Sequence, residues 1–179
     1  MNTNHLSSIK ARIGASQLTD TPAPWRKNGV ISIGGLRSVG FDRDSELLLV
    51  VSSDGRGVID CEAMEKISRD YDRYDEGKFL EAVGIGPLEG KYIRVSGMLG
   101  GGLPTSTQDG WSVESAYLDW PIQEVLLLEP LNMLYGDRYG ISARFYKIFV
   151  DFQCVALGFS YTGQTLIIAT TSEITVWGR

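Results

Sequence analysis

The sequence predicts a mainly β protein, a single antiparallel β-rich domain preceded by a short N-terminal helix or arm, and three observations carry that prediction. Short apolar runs recur between polar turns, as in LLLVVS at 47–52 and TLIIAT at 165–170. Asp-Gly, Gly-Gly and Gly-Pro pairs punctuate them. Helical periodicity is confined to Leu6, Ile9 and Ile13, ahead of Gly14.

Residues 1–25 form the predicted arm or helix, which the prolines and tryptophan of Thr21-Pro22-Ala23-Pro24-Trp25 interrupt; residues 26–179 form the β domain. A first strand falls at 30–33 and a second at 36–42, separated by Gly34 and Gly35. After a polar turn at 43–46 comes 47–52, apolar on both faces and so expected to be a central strand. Ser53-Asp54-Gly55-Arg56-Gly57 supplies hairpin chemistry and leads into a strand at 58–61. SRDYDRYDEGK at 68–78 reads as a solvated loop; Tyr74 and Asp75 stand where a calcium loop wants an oxygen ligand and a glycine. Residues 79–85 suit a helix or strand and 91–96 a strand, after which Gly97 opens a glycine-rich loop centred on Gly100, Gly101 and Gly102. With Pro104 and a Ser/Thr run behind it and no lysine in a Walker position, that loop reads as a bent binding loop, not a phosphate cradle. Residues 122–128 form an apolar strand stopped by Glu129-Pro130, and 141–152 a long strand or strand pair.

Residues 34–60 and 153–177 repeat one another: without a gap, Gly40 falls on Gly158, Phe41 on Phe159, Ser52 on Thr170 and Val58 on Val176, 118 residues apart. Three periods of about 39 residues fit that spacing, near the length of a propeller blade. With its strand, polar turn, strand and Asp-Gly turn, GLRSVGFDRDSELLLVVSSDG resembles a WD40-type propeller blade, and Val176-Trp177 falls where such repeats end their third strand. The resemblance implies propeller-like hairpins. Asp60-Cys61 replaces the expected Trp-Asp, no Gly-His pair precedes either unit, and four regular blades would consume nearly the whole chain, so a compact sheet or sandwich is expected in place of a closed propeller.

Composition excludes several classes of function. A net charge of −5 without a Lys/Arg cluster opposes nucleic-acid binding, and no run approaches the length of a membrane helix. The expectations are a cytoplasmic protein without cofactor or metal, Cys61 and Cys154 being reduced and structural. The single histidine, His5, lies in the polar arm, which leaves a Ser-His-Asp or Cys-His arrangement without a plausible base.

Two readings of function remain. In the first, the chain is a non-catalytic protein-binding module for a partner of basic character. Asp70, Asp72, Asp75 and Glu76 attract that partner, Trp111 and Trp120 anchor it, and Gly100–Gly102 form a recognition loop. Small acidic immunity proteins that neutralise basic bacterial toxins are analogous in size and charge. In the second, Asp109, Glu114 and Asp119 beside the tryptophans serve a small-molecule or carbohydrate binder or hydrolase, since paired acids next to aromatic platforms serve sugar-cleaving sites.

Overall fold

The computed structural model describes residues 4–72, 74, 79–152 and 154–179, with the side chains of 4, 5, 137 and 138 undescribed. Among the described residues one α-helix, α1 (Asn4–Ala15), precedes fourteen strands: β1 (Arg26–Ser32), β2 (Leu36–Phe41), β3 (Leu47–Ser52), β4 (Gly55–Asp60), β5 (Glu65–Arg69), β6 (Glu81–Val83), β7 (Tyr92–Arg94), β8 (Ser96–Gly97), β9 (Ser112–Asp119), β10 (Ile122–Leu128), β11 (Phe145–Asp151), β12 (Ala156–Phe159), β13 (Thr165–Ala169) and β14 (Glu173–Gly178). Every strand-to-strand ladder is antiparallel, as the sequence predicts. No described helix is long and apolar enough to cross a membrane.

The chain falls into two compact units, one of residues 24–105 and 154–179, the other of 1–23 and 106–153. In the larger unit, β5-β4-β3-β2-β8 form one sheet, β1-β14-β13-β12 a second, and β6-β7 a short ribbon. The internal repeat is realised strand for strand. Phe41 faces Leu48 and Leu49 faces Val58 in the first copy, and in the second Phe159 faces Leu166 and Ile167 faces Val176. β14 is enclosed between β13 and β1, which satisfies the backbone of a strand that would otherwise end the sheet.

The two copies use opposite faces. Leu48, Val50 and Ile59 share one core with Ile167, Ala169 and Val176, whereas Val58, the counterpart of Val176, packs on the far side of its own sheet with Ala82, Leu88 and Ile93. Leu48 to Val51 therefore bury side chains on both faces, which is why this run carries no polar alternation. The equivalent turns of the two copies also meet, with the Thr162 hydroxyl donating to the Glu46 carboxylate and the Arg43 guanidinium 5.7 Å from the Tyr161 ring centre.

The β3–β4 turn is tighter than the sequence indicates: Ser52 already pairs with Gly55, leaving only Ser53 and Asp54 as loop residues. A β-carbon at Gly55 would lie 2.6 Å from the Asp70 carbonyl, so the glycine serves a close approach to the next strand as well as the turn. β5, whose last two residues fall in the expected solvated loop, is an edge strand with four of its five side chains exposed.

In the smaller unit, β10 lies between β9 and β11. Helix α1 is no free arm: Ile9 and Ile13 pack with Leu126, Leu128 and Leu134, and the Arg12 guanidinium donates to the Ala143 carbonyl. Beyond the helix, Leu18 bridges Lys147 on the outer side of β11. Lys147 is buried and paired with Glu124 at 3.2 Å across the β10–β11 ladder, while the second carboxylate oxygen of Glu124 has no hydrogen-bond partner among the described residues.

Candidate functional site

Of the two sequence-predicted tryptophans, Trp120 is the one the fold presents to solvent. β9 and β10 form a hairpin in which Asp119 faces Ile122, so the turn consists of Trp120 and Pro121 alone, joined by a cis peptide bond. At this turn Trp120 is 70% exposed. Its ring stands 5.3 Å from that of Tyr117 on β9, tilted by 40°, an arrangement within the range of favourable aromatic pairs. Tyr117, also exposed, escaped the sequence reading because β9 itself did; its one legible mark was Pro121 closing an aromatic-flanked polar stretch.

Trp111 does not join it. Only 6% exposed, it lies in the turn ahead of β9, where its backbone amide donates to the Thr107 hydroxyl oxygen at 3.0 Å, and it has no surface to offer as an anchor. Of the carboxylates of the alternative reading, Glu114 and Asp119 are too far apart to act as a glycoside-cleaving pair. Asp109 accepts a hydrogen bond from Thr107 at 2.7 Å. Glu114 and Asp119 are five residues apart on one strand, roughly 16 Å at the rise of a strand, beyond the roughly 5–9.5 Å of glycoside-cleaving pairs.

The acidic segment is not a uniform bait. Asp70 takes the Arg56 amide at 2.8 Å and its Nε at 2.9 Å, and forms an ion pair with the same guanidinium at 2.6 Å, so its charge is spent inside the fold. Arg56 in turn lies 4.4 Å from the Tyr74 ring centre and donates to the Val83 carbonyl at 2.8 Å. Asp72 is exposed, and Asp75 and Glu76 lie outside the described residues.

The glycine-rich loop is a tight hairpin: Gly97 and Gly100 exchange backbone hydrogen bonds of 2.9 and 3.0 Å, which puts Met98 and Leu99 at an exposed tip. At Gly101 a β-carbon would meet the Val95 carbonyl at 2.3 Å. Gly101 and Gly102 line a small cavity of about 190 Å³ with Phe79, Leu80, Arg94 and Val95.

No protein-family model, no curated protein and no solved structure matches the chain.

Three ionisable groups outside the hairpin turn are held by the fold. Burial pushes the Cys61 thiol up, aided by the Glu46, Asp60 and Glu62 carboxylates, which suppresses thiolate chemistry there. Burial also acts to raise the Asp42 carboxyl, but the Lys91 ammonium at 2.6 Å and the Ser45 hydroxyl outweigh it and hold the group below its ordinary value. Glu114 has no such compensation: its side chain reaches solvent, but partial desolvation against the sheet pushes its carboxyl up. Among the described residues no group of three or more His, Cys, Asp or Glu side chains is placed to hold a metal ion.

Proposed function

We propose that this chain is a non-catalytic protein-binding module whose contact surface centres on the β9–β10 hairpin tip. The observation that carries the reading is Trp120, 70% exposed and stacked on Tyr117. An aromatic pair of that size costs free energy when left in water and recovers it on burial against a partner, which is why tryptophan and tyrosine are enriched among binding hot spots. A net charge of −5 suits a partner of basic character, because opposite charge accelerates encounter. Neutralisation of a basic bacterial toxin is the most concrete form of this reading.

Affinity capture from the source cell's lysate tests it, with wild type, Trp120→Ala and Asp72→Asn as bait. A basic protein retained by wild type and lost by Trp120→Ala at unchanged melting temperature supports the reading. Equal retention by both removes Trp120 from it.

A further inference from the structure

Strands that end a sheet present unpaired N–H and C=O groups, and soluble proteins guard them with lysines, prolines, bulges or brevity. The long edge strands of the larger unit's two main sheets follow that rule. β1 carries Arg26, Lys27 and a register break between Lys27 and Gly29, and β5 carries Lys66 and Arg69. The opposite edges, β8 and β12, are two and four residues long. In the smaller unit the outer side of β11 is joined by Leu18, with the Thr19 amide donating to the Lys147 carbonyl.

β9 is the exception. It runs eight residues, ends its sheet, and holds no lysine, arginine or proline. Its one register break lies near the Trp120 end, leaving 112–116 in unbroken register with β10. Ser106 bridges only Ser112, and among the described residues Glu114, Ser115, Ala116, Leu118 and Asp119 make no backbone hydrogen bond beyond those to β10. The strand's two charges, Glu114 and Asp119, are both exposed carboxylates without an ionic partner among the described residues.

We propose that the outer edge of β9 takes up an extended, lysine- or arginine-bearing segment of a partner protein as an added strand, with Trp120 and Tyr117 gripping its end. This rests on the protein-binding reading above and specifies its partner. Main-chain bonds along the edge supply affinity, and side chains at alternate positions supply choice. The two uncompensated carboxylates select a basic segment over an acidic one. A second copy of this chain fits worse, because two β9 strands laid edge to edge would line one ladder with the carboxylates of both and no cation.

The test uses the whole chain and a capped ten-residue peptide alternating lysine with valine. Its comparators are the same peptide with glutamate for lysine, and two forms N-methylated at alternate residues so that one or the other peptide edge is blocked. The lysine peptide should shift the amide resonances of 113–119. One methylated form should bind like the parent and the other about tenfold more weakly or worse, a difference of about 1.4 kcal/mol. Glu114→Gln combined with Asp119→Asn should weaken the parent peptide by a similar factor. Equal binding by the glutamate peptide, equal binding by both methylated forms, or no response of the β9 amides overturns the proposal. So does a concentration-dependent dimer abolished by Ser115→Lys, which would assign the edge to a second copy. Partner capture that depends on Trp120 while no peptide binds β9 would leave the protein-binding reading standing and sink this one.

Discussion

Gly40 and Gly158 occupy the same position in β2 and β12, and at each the space a β-carbon needs is filled by another stretch of backbone. The Arg94 carbonyl lies 2.1 Å from that point at Gly40, and the Pro104 carbonyl 2.7 Å from it at Gly158. The matched glycines of the repeat thus mark places where a neighbouring segment crosses close over the first strand of each copy.

Gly40→Ala and Gly158→Ala are each expected to destabilise the fold by about 1–3 kcal/mol, the cost of forcing backbone apart in a packed interior. Gly102→Ala, where nothing lies within 4 Å, should leave stability unchanged or raise it by up to about 1 kcal/mol. Urea midpoints of the three variants check this.

Loss of Asp70 should cost stability, not partner attraction. Asp70→Ala strips two hydrogen bonds and an ion pair from the partly buried Arg56, and about 1–3 kcal/mol is expected. Asp72→Asn on the exposed side of the same segment should stay within about 0.5 kcal/mol of wild type. Thermal or urea unfolding of the two variants separates them.

The buried Lys147–Glu124 pair makes a sharper prediction. Lys147→Met leaves a carboxylate buried without its cation and should destabilise by about 3–5 kcal/mol, whereas adding Glu124→Leu should recover most of that loss. A double-mutant cycle in urea provides the measurement.

The two shifted carboxyls should act oppositely with pH. Asp42 is depressed in the fold, so its contribution is present above the ordinary aspartate value near about 3.9 and is lost as pH falls through its lower folded value. Glu114 is raised, so its protonated form favours the fold and stability falls as pH rises from its unfolded value through its higher folded one. Asp42→Asn should therefore lose stability at pH 7 and converge on wild type in strong acid, while Glu114→Gln should gain at pH 7 and converge below its unfolded value. Stability curves against pH for both variants decide the signs.

The hairpins of the repeat were legible because their apolar runs are buried on both faces and their turns carry Asp-Gly or Ser/Thr-rich chemistry. Two of the edge strands were not. Glu65–Arg69 exposes four of its five side chains, and in Ser112–Asp119 the inward-facing positions toward the turn are only Ala116 and Leu118, too short an apolar alternation to stand out among polar neighbours. The smaller unit joins 1–23 to 106–153, and nothing local in either segment records that Ile9 will pack on Leu126. The site was half legible. Two tryptophans at Trp111 and Trp120 look alike in sequence, and only the register of β9 against β10 puts one at an exposed turn and leaves the other buried ahead of the strand. Acidic residues near one another did not reveal that Arg56 claims Asp70, because that contact depends on the β4–β5 pairing.

The dissociation constant of the captured partner, measured for wild type and Trp120→Ala at one ionic strength, tests the central claim most directly. An anchor residue should cost about 2 kcal/mol or more on truncation, roughly a thirtyfold weaker complex. An unchanged constant, with the variant folded, would contradict the hairpin tip as the contact surface.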